Sequence, residues 1–177
     1  MNRLTTLTLA AVALLGWAMV LPSTDAVAQQ KQRVTFKLAQ ENSKYTQQHV
    51  IDVGDVPGHQ VRVFEIYRTY PNNAPMINGL KLKETWNRGL SDYIDGNGPN
   101  FGYSVFVVEN GDKFFVRTNT LAQSPGSGKL TTVSAGTITG GTGKLAGIQG
   151  MARTSGTAEP KAGMTELQYE IEYWLEK

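Results

Sequence analysis

The sequence predicts an all-β fold: a single eight-stranded antiparallel up-and-down β-barrel. Three observations lead there. Gly makes up 19 of 177 residues, above the typical share of about 7%, and it recurs at intervals, as turn residues between strands do. Apolar residues alternate with period two, and long helical periodicity is missing. The segments follow one another without room for crossover helices, so neighbours must pair as an antiparallel meander. A twisted sheet of that many strands removes its edges by closing on itself. A two-sheet sandwich is the alternative.

The chain begins with the three parts of a secretory signal. Arg3 supplies the positive charge, Leu7 to Leu21 is an uncharged apolar run, and Ala26-Val27-Ala28 is a small-x-small site beyond Pro22. The run is shorter than the roughly 20 residues a spanning helix needs. Cleavage after Ala28 and delivery to the periplasm or the outside are expected, with no membrane attachment afterwards. Residues 29–42 read as a loose leader, with Val34–Ala39 as a strand candidate, and 43–177 as the barrel domain.

Along the domain, Tyr45–Val53, His59–Tyr70, Leu80–Leu90, Leu130–Thr139 and Met151–Ser155 read as strands. Asp55-Val56-Pro57-Gly58 reads as a tight turn. Tyr70–Asn78 and Ser124–Gly128 read as irregular loops. Tyr103–Glu109 and Lys113–Thr120 flank Asn110-Gly111, the strongest short hairpin signal. The last strand is the clearest: Leu167, Tyr169, Ile171, Tyr173 and Leu175 point one way, against an acidic face of Glu166, Glu170, Glu172 and Glu176.

Composition narrows the function. Net charge is +2, from 17 Lys+Arg and 15 Asp+Glu, and the basic residues are scattered, which argues against nucleic acid. The absence of Cys excludes disulfides, Cys-ligated zinc and a thiol nucleophile. His49, Asp52, Asp55 and His59 carry metal-ligating groups, but their spacing fits no ligand pattern and a turn divides them. Asp95-Gly96-Asn97-Gly98 begins like a calcium loop, yet Pro99 follows and position twelve is Phe106. No metal site is therefore expected. Two His and no nucleophile elbow speak against a catalytic triad.

The most distinctive stretch is Thr139-Gly140-Gly141-Thr142-Gly143-Lys144-Leu145-Ala146-Gly147-Ile148-Gln149-Gly150. As a phosphate loop it fails, because Ile138 stands where the first Gly belongs and Leu145 where Ser or Thr belongs. Its glycines suit a sharp turn, with Thr142 as cap of a short helical turn plugging one end of the barrel. The run resembles the Gly-Gly-Thr-Gly-x-Phe/Leu-x-Gly-x-x-Gly signature of the allene oxide cyclase and dirigent superfamily and of uncharacterised bacterial secreted relatives. Gly102-Tyr103, Asn110-Gly111-Asp112 and the closing Tyr169–Trp174 segment support the resemblance over roughly Leu80 to Glu176. It implies a calycin-like eight-stranded barrel, often trimeric, holding hydrophobic small molecules without metal or organic cofactor. No catalytic residue can be carried over from it.

On Leu80–Leu90, alternation puts Glu84, Trp86 and Arg88 on the same face as Leu80, Leu82 and Leu90. Read as interior, the three form a polar anchor in an aromatic pocket, or a structural ion pair. Tyr67, Tyr103, Arg117, Tyr169 and Tyr173 complete the expected ligand-binding wall. The expected function is binding of a small hydrophobic or aromatic molecule inside the barrel. A cofactor-free cyclase or isomerase using Glu84 and a Tyr as acid and base is the enzyme alternative. A filled structural barrel is the third.

Overall fold

The computed structural model describes residues 30–126 and 128–176. The expected signal segment 1–28 and its cleavage point lie outside the described residues. The chain is all-β, with ten antiparallel strands: β1 Gln32–Leu38, β2 Ser43–Asp52, β3 His59–Thr69, β4 Met76–Ile77, β5 Leu80–Ile94, β6 Gly98–Val108, β7 Lys113–Gln123, β8 Leu130–Gly141, β9 Ile148–Glu159 and β10 Met164–Leu175. The strand order is β1-β10-β9-β8-β7-β6-β5-β3-β2, with β4 beside β5.

Two expectations need correction. Residues 29–42 are not all a loose leader, since Gln32–Leu38 pairs in register with Tyr173 back to Leu167. The expected eight strands are ten, partly because the irregular Tyr70–Asn78 segment contains β4. Asn78 and Gly79 have φ of +48° and +75°, which suits the two-residue turn that folds Met76–Ile77 back on Leu80–Lys81.

β1 and β2 are the two edges of the sheet, although a single 3-10 turn, Gln40–Asn42, joins them in sequence. Among the described residues no backbone ladder closes the edges. The sheet instead curls until side chains meet. Ser43 Oγ and Thr165 Oγ1 share a hydrogen bond, and Gln48 Nε2 donates to the Pro160 carbonyl at 3.2 Å. Phe36 of β1 lies edge-on to Tyr70, 5.7 Å away, and stacks on Tyr169 at 4.8 Å.

The curled interior is divided. One end is packed by Leu38, Ile77, Leu82, Phe106, Val108, Phe114, Ile138, Leu145, Ile148, Ile171 and Tyr173, all at most 4% exposed. Each such side chain contributes on the order of 1.5–3 kcal/mol by leaving water. A small cluster of Ala122, Leu130 and Ala158 with Tyr93 closes the other end. Between them runs a polar belt.

The Gly-rich run ends β8 and makes the one-turn 3-10 helix Gly143–Leu145, which sends Leu145 into the apolar end. Thr142 occupies the cap position, but its side chain does not cap the turn. Its Oγ1 accepts the Lys113 N–H at 2.9 Å. Asp112 takes over, its Oδ2 accepting the Lys144 N–H at 2.9 Å. That hydrogen bond, with one from Asn110, holds the Asp112 carboxyl below its usual range. Gly143 has φ +54°, and a Cβ there would sit 1.9 Å from Asp112 Oδ1.

Gly143→Val is expected to lower stability by at least ~1 kcal/mol, because strain at positive φ and loss of the Asp112 contact act together. Urea unfolding checks it; an unchanged midpoint would show that the turn bears no strain.

Candidate functional site

β3 places Arg62, Phe64, Ile66 and Arg68 on its inner face, with Val63, Glu65 and Tyr67 on the other. The register carries the level of Arg62 across the sheet. Arg62 pairs with Ser91, Ser91 with Asn100, Asn100 with Thr120, Thr120 with Ser134, and Ser134 with Thr154. Six strands thus present a ring of polar side chains inward, and all six residues line one interior cavity. One level on, Phe64 faces Gly89, Gly89 faces Gly102, and Thr118 faces Gly136. A Cβ on Gly89 would meet the Phe64 ring at 2.6 Å, so the missing side chain lets Phe64 lie flat against the sheet.

The cavity measures about 90 Å³, room for a small molecule or a few waters at about 30 Å³ each. Tyr45, Tyr93, Asn87, Ser104, Thr118, Thr132, Thr165 and Tyr169 complete its polar lining. Some of these groups satisfy one another: Asn87 Nδ2 donates to Ser104 Oγ at 2.9 Å, and the Thr120 and Ser134 hydroxyls are 2.7 Å apart. The arginines are different. The Nε of each is buried without a hydrogen-bond partner, and Arg68 is only 4% exposed. No ion pair engages either among the described residues, and no Asp, Glu or His lines the cavity. Burial pushes the Tyr45 hydroxyl above its ordinary pKa, against the opposing pull of Arg68 and Arg62. Burial also raises Tyr93, opposed by its hydrogen bond with Asn100 and by Arg62.

The residues expected to line the cavity are mostly elsewhere. A bulge in β5 shifts the β5–β6 register between Leu82 and Glu84. One extra residue exchanges the two faces of a strand. Leu82 points in, and beyond Lys83 so do Thr85, Asn87 and Ser91. The interior placement of Glu84, Trp86 and Arg88 is therefore corrected: all three lie on the outer face. There Arg88 Nε meets Glu65 Oε2 at 2.8 Å, and its guanidinium lies 5.6 Å from the Trp86 ring. Tyr67 packs on Trp86 at 4.5 Å and donates its hydroxyl to Glu84 at 3.1 Å.

Tyr103 is 53% exposed and Arg117 is exposed on the same outer face, with Arg117 5.9 Å from the Phe101 ring. Tyr169 does line the cavity. Tyr173 is buried as predicted, but in the apolar end, where its hydroxyl donates to Gln32 at 2.6 Å and accepts the Asn78 N–H at 2.7 Å. Arg62, Arg68 and Tyr45 are the site residues that alternation on Leu80–Leu90 could not reveal.

A second concavity, about 860 Å³, opens on the outer face, where Leu90, Phe101, Leu121, Val133 and Ala135 stand among polar and charged residues that include Asp92, Arg153, Gln168 and Glu170. Of the four residues that carry metal-ligating groups, only two come together. His59 Nδ1 meets Asp55 at 2.6 Å, and its Nε2 meets Asp92 of β5 at 2.7 Å. His49 stands apart on the exposed face of β2, and Asp52 accepts from Gln60 Nε2 at 2.8 Å. No metal-binding cluster occurs among the described residues. Asp92 first, then Asp55, holds the His59 pKa above its ordinary value.

No family model matches this chain, and no curated protein matches it. Solved structures with some likeness to it include the following two. A pyocyanin demethylase is 20% identical over 79% of this chain and 99% of its own, with a TM-score of 0.44. A pterocarpan synthase dirigent protein is 12% identical over 90% of this chain and 100% of its own, with a TM-score of 0.49. Neither is close enough to carry over an activity, a ligand or a residue role.

Two outcomes are expected. Arg88→Met should cost about 1 kcal/mol in denaturant unfolding, because Arg88 is 55% exposed although Glu65 is only 16% exposed and keeps its hydrogen bond from Thr46; a loss of 3 kcal/mol or more would mean that the pair behaves as a buried one. His59, followed by its ring proton signals in NMR, should titrate above the ordinary value of about 6.5. A raised folded pKa means that its contribution to stability is complete below the unfolded value and lost as pH rises through the folded one. A midpoint at or below 6.5 would show that the two carboxylates do not hold it.

Proposed function

We propose that this is an exported binding protein whose curled sheet works as a barrel and holds a small polar molecule in its interior cavity. One observation carries the reading: two arginines, each with a buried Nε left unpartnered, enter a cavity whose hydroxyls and amides stand among apolar side chains such as Phe64, Phe106, Val116 and Leu167. Buried polar groups in native proteins are nearly always hydrogen-bonded, so a set of unmatched groups around open space reads as a site for a complementary molecule. The unpartnered arginine nitrogens favour an occupant with polar groups over the wholly hydrophobic one expected from sequence.

Enzyme chemistry of the cyclase type is the weaker reading. Glu84, its expected acid–base group, faces outward, and burial raises the pKa of Tyr45 and Tyr93 in the cavity. A barrel filled for structure alone, with a few waters in its belt, is the rival reading that a volume of about 90 Å³ also accommodates.

The outer concavity supports a second element of the proposal, association with another copy of this chain. Leu121 and Val133 are each 66% exposed, and Leu90 42%, an apolar patch of a kind that marks contact surfaces. Asp92, Arg153 and Glu170, which also line it, are paired within the chain with His59 and with one another, so the apolar side chains are what a second copy of the chain would cover.

Native mass spectrometry of the purified protein tests both elements. A bound mass lost on denaturation and absent from a Ser134→Leu variant, which fills the cavity, is expected, together with a mass above that of one chain. An unliganded parent whose stability rises on filling the cavity would overturn the binding reading. A monomer at micromolar concentration would overturn the association.

A further inference from the structure

Resting on the reading of the cavity as a ligand site, we infer that the ligand is an oxyanion: a small organic acid held by its carboxylate, or a phosphate or sulfate. Guanidinium groups remain charged throughout the physiological range. A buried charge is costly unless it is paired. Arg62 and Arg68 stand six positions apart on β3, about 20 Å by strand rise, and both reach the same cavity. The charge of two cations thus enters a space of about 90 Å³ whose lining contains no carboxylate. Among the other described arginines, Arg33 and Arg153 are met by Glu170 and Arg88 by Glu65, while Arg117 is exposed to solvent beside Phe101. The interior pair is not provided for in this way.

The rest of the lining fits the same chemistry. Each arginine presents an Nε–H that is buried and unused, a donor suited to one oxygen of a carboxylate or phosphate. Tyr45, kept protonated by burial, is a further donor. Ser91, Thr132 and Thr154 around the ring can donate to the remaining oxygens. Acceptors are present as well, but a neutral ligand would leave both guanidinium charges uncompensated. The volume limits the occupant to a few heavy atoms inside the cavity.

The experiment is a thermal-unfolding titration with sodium acetate, sodium phosphate, sodium sulfate and the neutral analogue acetamide, at ionic strength matched with sodium chloride. Acetate, phosphate or sulfate should raise Tm saturably, whereas acetamide should not. Arg62→Met and Arg68→Met should each weaken the apparent affinity at least tenfold, and Arg62→Lys should keep part of it. If Arg68→Met fails to fold, Arg62→Met alone decides, since Arg62 is the less buried of the two. A stronger response to acetate identifies the organic acid, and one to phosphate or sulfate the inorganic ion. Acetamide stabilising as well as acetate, with Arg62→Met unaffected, would overturn the oxyanion and leave the ligand site standing. No response to any probe, with the parent unliganded by mass spectrometry, would overturn both.

Discussion

The period of two along a β-strand is the constraint on which the interior depends. In β5 one extra residue at Lys83 interrupts that period between Leu82 and Glu84. Before the bulge, the strand sends Leu82 into the apolar end. After it, the strand sends Thr85, Asn87 and Ser91 inward and Glu84, Trp86 and Arg88 outward. Without the bulge an acid, a base and an indole would crowd the belt that the polar ring now occupies. The Glu84 carboxylate would then share a face of the sheet with the interior arginines. The bulge keeps Glu84 outside, and outward-facing Glu65 is engaged by Arg88 and by Thr46 Oγ1 at 2.7 Å. The charge imbalance of the cavity is a consequence of strand geometry.

Stability and site are assigned to different levels of one sheet. The apolar end stacks Phe106 on Phe114 at 4.4 Å and buries Ile171 and Tyr173 almost completely. Buried polar groups oppose folding unless they are matched, and the belt matches only some of its own. The packed end supplies the favourable term that allows the other levels to remain imperfectly satisfied. Asp112 links the two requirements at that end, since it terminates the β6–β7 turn and fixes the short helix that carries Leu145 inward.

Much of this was legible in the sequence. The alternation of Leu167 to Leu175 gave the inward face of β10, and Asn110-Gly111 marked the β6–β7 hairpin. The site was less so, for a physical reason. A bulge adds one residue without changing the composition of a strand, so alternation read from Leu80 and Leu82 runs past Lys83 without a signal. A second clue was present: Arg62 and Arg68 share their parity with Phe64, Ile66 and Tyr70. Two arginines at inward positions on an apolar face are the sequence counterpart of the unmatched charge. The Asn78-Gly79 turn that creates β4 was likewise visible, but the prolines around it pointed to an irregular loop.

What the interior can do follows from which of its groups titrate. General acid–base work needs a group whose pKa lies near the working pH. Burial moves Tyr45 and Tyr93 away from neutrality, and guanidinium does not release its proton in proteins. His59, whose ordinary pKa is nearest to neutral, is committed outside the cavity to Asp55 and Asp92. The belt therefore combines two fixed guanidinium charges with hydroxyls and amides that can donate or accept. Fixed donors around a small space select a ligand by charge and by the direction of its lone pairs. On the binding reading proposed above, the two guanidinium groups would set the charge preference of the cavity and the hydroxyls and amides the orientation of what it holds.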